Sequence, residues 1–127
     1  MESENLRFAV YDKNEGDMEL TVSYLSSFFD NKKMLFNVHR FYDTYGLIDA
    51  FRHISFTALL IGMNSMEEVD AAWVIKKLAE GCQLVIMSNS GDYSMEGYRL
   101  NAFDYWLKPL DEARVYKTLG RIPEVMN

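Results

Sequence analysis

The chain has 127 residues, 49% hydrophobic and 25% charged, with a net charge of −6. That suits one domain with a real core. No apolar run approaches the roughly 18 residues of a membrane span, and no Lys/Arg run exceeds two residues, so the acidic chain lacks the basic face that nucleic-acid binding needs.

Residues 1–5 are acidic and polar, a lead-in rather than a signal peptide. The first β-rich run, β1, covers Leu6–Asp12. Met18, Val22, Leu25 and Phe29 then fall at helical spacing, which predicts a helix, α1, over Asp17–Asn31 with one apolar stripe. Met34–Phe41 reads as β2, and Asp43-Thr44 offers the N-cap of α2, ending near His53. Phe56–Met63, β3, is the longest apolar run. Ala71, Val74, Ile75 and Leu78 predict α3, which Gly81 should end. Gln83–Ser88 reads as β4. Ser90-Gly91-Asp92 offers the cap of a short α4 ending near Leu100. Asp104–Lys108 reads as β5, and Val115, Leu119 and Ile122 mark the apolar face of α5.

The centres of β3 and β4, Ala58–Ile61 and Leu84–Met87, are apolar without alternation, as in strands covered on both faces. Five strand–helix alternations imply right-handed crossovers and a three-layer α/β/α sandwich. With short linkers, residues 1–122 form one domain and 123–127 a tail or the start of a linker. Cys82 is the only cysteine. It can form neither an internal disulfide nor a multi-thiolate metal site, and it reads as a buried thiol in a reducing cytoplasm. His39 and His53 are isolated and not at ligand spacing.

Chemistry in such a sheet collects beyond the carboxyl ends of the strands. The residues there are Asp12-Lys13-Asn14-Glu15, Gly62-Met63-Asn64-Ser65, Ser88-Asn89-Ser90 and Lys108-Pro109. The stretch from Asn101 to Arg114, with Asp104-Tyr105, Lys108-Pro109, Asp111-Glu112 and Arg114 in order, resembles response-regulator receiver (CheY-like) domains. It is most similar to those that precede LytTR-type DNA-binding domains, where a "DYxxKPxDExR" stretch is usual. Ser88, twenty residues before Lys108, has the spacing of the family's Ser/Thr. The resemblance covers about residues 6–122 and implies a five-stranded parallel sheet of order 2-1-3-4-5.

In that family an aspartate ending β3 attacks a phosphohistidine and becomes an acyl phosphate, with Mg²⁺ held by an acidic pair and by the acceptor. The resemblance assigns Asp12 to the first acid, Ser88 to the hydroxyl, Lys108 to the lysine, Pro109 to the proline after a cis bond and Tyr105 to the switch aromatic. The second acid is Lys13 and the acceptor is Gly62, with Ile61, Met63 and Asn64 beside it and no carboxylate among them. Glycine has no nucleophile. A lysine in place of a metal-binding carboxylate reverses a charge worth about 4 kcal/mol at about 4 Å and an effective dielectric near 20. Tight Mg²⁺ binding is therefore not expected, and no cofactor is implied.

Lys13 is expected to take the ion's place, pairing with Asp12 and Glu15, unless it is a plain solvated loop lysine. Lys108 is expected to pair with Asp12. A weaker alternative is capture of an anion, since Asp12, Lys13 and Lys108 sum to +1. Tyr105 and Trp106 must point to opposite faces, one of them toward a partner surface. The leading reading is a non-enzymatic, cytoplasmic pseudo-receiver acting through protein contacts. Its expected homodimer or output-domain surface is α4–β5–α5, with Tyr93, Tyr98, Arg99, Trp106, Arg114 and Tyr116 in or near it. A LytTR-type DNA-binding domain can follow in the full-length protein, while this chain itself binds no nucleic acid or membrane. The alternatives are a conventional phosphorelay receiver with an unmapped acceptor and a flavodoxin-like cofactor binder. The loop Asp12–Gly16, with one glycine and two acids, speaks against a phosphate cradle.

Overall fold

A computed structural model describes residues 5–125. Ten elements alternate along the chain: β1 Leu6–Tyr11, α1 Glu15–Asn31, β2 Phe36–Phe41, α2 Thr44–Phe51, β3 Ala58–Gly62, α3 Met66–Leu78, β4 Gln83–Ser88, α4 Ser94–Arg99, β5 Asp104–Leu107 and α5 Glu112–Val125. The strands form one parallel sheet in the order β2-β1-β3-β4-β5, the α/β/α architecture and strand order that the sequence predicts.

Strand alternation divides the core in two. Phe8, Val10, Leu60, Val85, Met87 and Trp106 face α1 and α5, where Met18, Leu25, Phe29, Val115 and Leu119 cover them. Ala9, Tyr11, Leu59, Ile61 and Ile86 face the other layer, which Leu47, Phe51, Val69, Ala72 and Ile75 close. All five residues of β3 are buried, as its unbroken apolar run requires. The predicted α1 stripe is buried in full, and Asn14 caps that helix through a bond from the Asp17 amide.

Four expectations are corrected. Helix α3 buries Glu68, Val69, Ala71, Ala72 and Ile75, whereas Val74 and Leu78 are exposed. Its face is rotated because Glu68 is anchored inward by hydrogen bonds, which a hydrophobicity pattern counts as solvent. Gly81 is not a left-handed helix cap. Among the described residues the positive-φ positions are Lys33 and Asn101, beyond α1 and α4. Helix α4 starts at Ser94 rather than in the Ser90-Gly91-Asp92 stretch. The Tyr105 hydroxyl there donates to the Ser90 carbonyl and accepts from the Tyr93 amide, removing backbone groups that an earlier helical turn would use. Finally, α5 continues through Pro123 to Val125, so residues 123–125 are helix and not linker. Pro123 lies within the helix, close to its described end. Residues 126–127, like 1–4, lie outside the described residues. No helix among those described is long and apolar enough to cross a membrane.

Candidate functional site at the carboxyl end of the sheet

The ends of β1, β3 and β5 bring Asp12, Gly62 and Lys108 together. Asp12 follows β1 directly and its side chain is fully buried. One oxygen, Oδ1, accepts from the Asn14 amide at 2.9 Å, and Oδ2 accepts from Lys108 Nζ at 2.8 Å. Lys108 Nζ also donates to Asp17 Oδ2, at 2.8 Å, and only 6% of its side chain is exposed. Lys108 directly follows β5, and the Lys108–Pro109 bond is cis, as the resemblance implied. Burial works against its charge, but the bonds to Asp12 and Asp17 outweigh that and hold the ammonium protonated above its usual range. The site is thus an ammonium between two carboxylates, summing to −1.

Gly62 lies against this triad. A Cβ placed on it would sit 2.7 Å from Asp12 Oδ2 and 2.8 Å from Asp12 Cγ, closer than nonbonded atoms approach. The Asp12 carboxyl therefore fills the volume that a side chain at 62 would use. Ser88 is buried at the end of β4, and its hydroxyl accepts only a long bond, 3.4 Å, from the Ser90 amide.

Lys13 does not join the triad. Its ammonium turns the other way, to Glu67 at 3.1 Å and Glu68 at 3.5 Å, and half of its side chain is exposed. The expected pairing with Asp12 and Glu15 is overturned, because Lys108 already satisfies Asp12 and the α3 N-terminus presents two acids. The expected +1 sum for anion capture goes with it. Glu68 anchors this second cluster. Its Oε1 accepts from the amides of Asn64 and Ser65 and from the Ser65 hydroxyl, and Oε2 accepts from the Tyr11 hydroxyl at 2.9 Å. Burial raises its affinity for a proton, yet those donors and Lys13 hold the carboxyl below its ordinary range. Burial first, then the bond to Glu68, pushes the Tyr11 phenol well above its ordinary value. Thr44 completes the cluster with a 2.8 Å bond to Glu67.

The predicted partner face is only partly assembled. Tyr98, 84% exposed, stands with exposed Met95, Leu107 and Arg99 on α4 and β5. Tyr105 lies on the α4 side of the sheet and Trp106 on the other, as strand alternation requires. Trp106 is not an interface residue: it is 1% exposed, with Nε1 donating to Asp104 at 3.0 Å and Thr118 at 3.1 Å. Tyr116 is also displaced from that face, packing on Phe28 and Tyr24 of α1. Arg114 grips Asp104 through Nη2 at 2.6 Å and Nε at 3.1 Å. Burial would raise the Asp104 carboxyl, but Arg114, Thr118 and the Tyr105 amide pull it down to about 2.

Asp17, Glu68, Asp104 and Thr118 escape sequence reading as site residues. Asp17 and Glu68 read as ordinary first-turn acids, and only Ser65-x-x-Glu68 carried a capping-box signal. Among the described residues no group of three or more His, Cys, Asp or Glu is placed to hold a metal.

No protein-family profile matches the chain. Transcriptional regulatory protein BtsR of Escherichia coli K12 is 44% identical over 39 residues, which is 31% of this chain and 16% of that protein. BtsR of Shigella flexneri gives the same figures. Among solved structures, the response regulatory domain of protein mrkE from Klebsiella pneumoniae superposes with a TM-score of 0.82, at 20% identity, covering 94% of this chain and 97% of that one. A response regulator from Thermotoga maritima gives 0.77 at 14% identity, covering 95% and 99%. The BeF3-activated DrrB receiver domain gives 0.76 at 17% identity, again covering 95% and 99%. The fold of this chain is that of the CheY-like receiver domains of response regulators.

Proposed function

We propose that the chain is the receiver module of a two-component response regulator, that it takes no phosphoryl group, and that it acts through protein contacts. One observation carries this reading. The Asp12 carboxyl occupies the space above Gly62, and Lys108 is already neutralised by Asp12 and Asp17. Among the described residues no acceptor carboxylate and no free cation meet there.

The residues present do not fit a divalent ion either. Both Asp12 oxygens are engaged, and an ammonium lies between the two nearest carboxylates. Incubation with acetyl phosphate and Mg²⁺, followed by intact mass, is expected to leave the mass unchanged. A gain of one phosphoryl group overturns the reading, and so does Mg²⁺ binding with a micromolar Kd in calorimetry.

The contact surface in this reading is α4–β5, where Met95, Tyr98 and Leu107 are exposed beside Arg99. We assign it to homodimerisation or to an output domain. The match to a transcriptional regulator supports an output that binds DNA elsewhere in the full-length protein. A cytoplasmic setting follows from the signalling role. Sedimentation of the wild type and of Tyr98→Glu decides the dimer. The substitution is expected to weaken self-association at least tenfold, and equal association of the two proteins removes this face from the proposal.

A further inference from the structure

Helix α3 covers its layer of the core with Val69, Ala71, Ala72 and Ile75 and turns its other side to solvent. Successive residues of a helix are rotated by about 100°, so Met66, Asp70, Trp73, Val74 and Lys77 fall on one outward strip. Met66 is 58% exposed and Val74 40%, Trp73 is half-buried, and Asp70 and Lys77 are exposed. The middle of the strip is therefore apolar, with an acid on one side of it and a base on the other. Asp70 and Lys77 lie about 10 Å apart along the helix axis, too far to pair with each other. Neither is in an ion pair among the described residues. They stand equally far from the point between Trp73 and Val74, on opposite sides of it. Gly81, beyond the end of α3, has open space where a side chain would stand.

We propose that this strip binds a second copy of the chain, α3 against α3, antiparallel about a twofold axis between Trp73 and Val74. Charge complementarity selects both the partner and the direction. Under such an axis Asp70 of each copy meets Lys77 of the other, so the pair forms twice, and the Val74 side chains of the two copies meet beside the axis. That is the self-complementary contact a twofold dimer requires. A parallel pair would set Asp70 against Asp70 and Lys77 against Lys77, which like-charge repulsion disfavours. Met66 reaches toward Gly81 of the other copy, where no side chain stands in its way. One helix pair is a small interface, so a Kd of about 0.1 mM is expected. The inference goes beyond the pseudo-receiver reading and does not depend on it. The α4–β5 face is a different surface, so a chain paired through α3 still presents Tyr98.

The test is sedimentation of the whole chain carrying Tyr98→Glu, so that association through α4–β5 is suppressed and the two faces are read apart. This background is expected to retain the α3 dimer. Asp70→Lys and Lys77→Asp, added singly, each set like charges together twice and are expected to weaken self-association about tenfold or more. Mixed in equal amounts, the two variants are expected to recover it, because one copy then carries two cations on the strip and the other two anions. Both positions are exposed, and circular dichroism checks the fold. A background chain that stays monomeric at about 1 mM overturns the proposal. So does association unchanged by the single substitutions, or a loss that mixing does not restore. Should either variant fail to fold, Val74→Glu reads the same face, and association unchanged by it overturns the proposal equally.

Discussion

At Gly62 the question is whether the missing acceptor can simply be restored. A Cβ there overlaps the Asp12 carboxyl by geometry alone, and an added carboxylate would meet Asp12 as a like charge in a buried site. Gly62→Asp is therefore expected to gain no phosphoryl group from acetyl phosphate and to lower the melting temperature, both readable in one preparation. The two lysines give a sharper contrast. Removing Lys108 strands the fully buried Asp12 carboxylate, a loss of about 3–5 kcal/mol for a broken buried pair. Lys13 is half-exposed, and Glu68 keeps its other donors without it. Urea titration of Lys108→Met and Lys13→Met is expected to show a large fall in midpoint for the first and almost none for the second. The sequence alone pointed to both lysines as partners of Asp12, and only Lys108 reaches it. Which lysine reaches Asp12 is a matter of chain direction: β5 delivers Lys108 to the site, whereas the loop after β1 carries Lys13 toward the N-terminus of α3. Residue types were legible, but the direction of a long flexible side chain was not.

Among the elements, the helix ends carry a comparable lesson. Gly81 is the residue that a pattern reader selects to stop α3, yet the left-handed positions are Lys33, at φ 57°, and Asn101, at φ 57°. After α1 the Lys33 amide bonds to the Asp30 carbonyl and the Met34 amide to the Phe29 carbonyl, closing the helix with a lysine where glycine is the natural choice. Lys33→Gly is expected to stabilise the fold by about 0.5–1 kcal/mol by relieving Cβ crowding. Asn101→Gly should gain less, because asparagine tolerates this conformation. A Cβ on Gly81 meets nothing within 4 Å and its φ is not positive. Gly81→Ala is then expected to be neutral or to stabilise by about 0.4–1 kcal/mol, whereas a true glycine cap would lose stability. Chemical denaturation of the three variants ranks them. Strand positions, the α1 stripe and the layer order were readable because each rests on a repeating burial pattern. The α3 face was not, because buried Glu68 breaks the rule that charge means solvent, and the start of α4 was not, because a side chain fifteen residues from Ser90 takes the Ser90 carbonyl.

Over the whole molecule, the buried polar groups predict a stability plateau with two different edges. Asp104 is held at about 2, below its ordinary 3.8. Glu68 is held below its ordinary 4.5. A carboxyl whose folded value is depressed contributes fully above its ordinary value, and that contribution is lost as pH falls toward the folded one. For Asp104 alone the difference is worth about 2 kcal/mol. The alkaline edge has the opposite sign. Lys108 is held above its ordinary 10.5 and Tyr11 above 10.0. Their contributions are complete below about pH 10 and are lost as pH rises through the folded values. Urea unfolding from pH 2 to 11 is therefore expected to give near-constant stability from about pH 5 to pH 10, with a fall on each side. Asp104→Asn and the wild type should differ most at neutral pH and converge near pH 2, because acid has by then removed from the wild type what the substitution removes everywhere. Tyr11→Phe should flatten part of the alkaline edge and leave the Asp104 part of the acid edge in place, while shrinking the Glu68 part, because Glu68 loses one of its donors. An acid edge of full height in Asp104→Asn would show that Asp104 does not set it. The acid edge thus draws on both faces of the sheet, Asp104 with α5 on one side and Glu68 with Tyr11 on the other, so Asp104→Asn removes one part of it and leaves the Glu68 part.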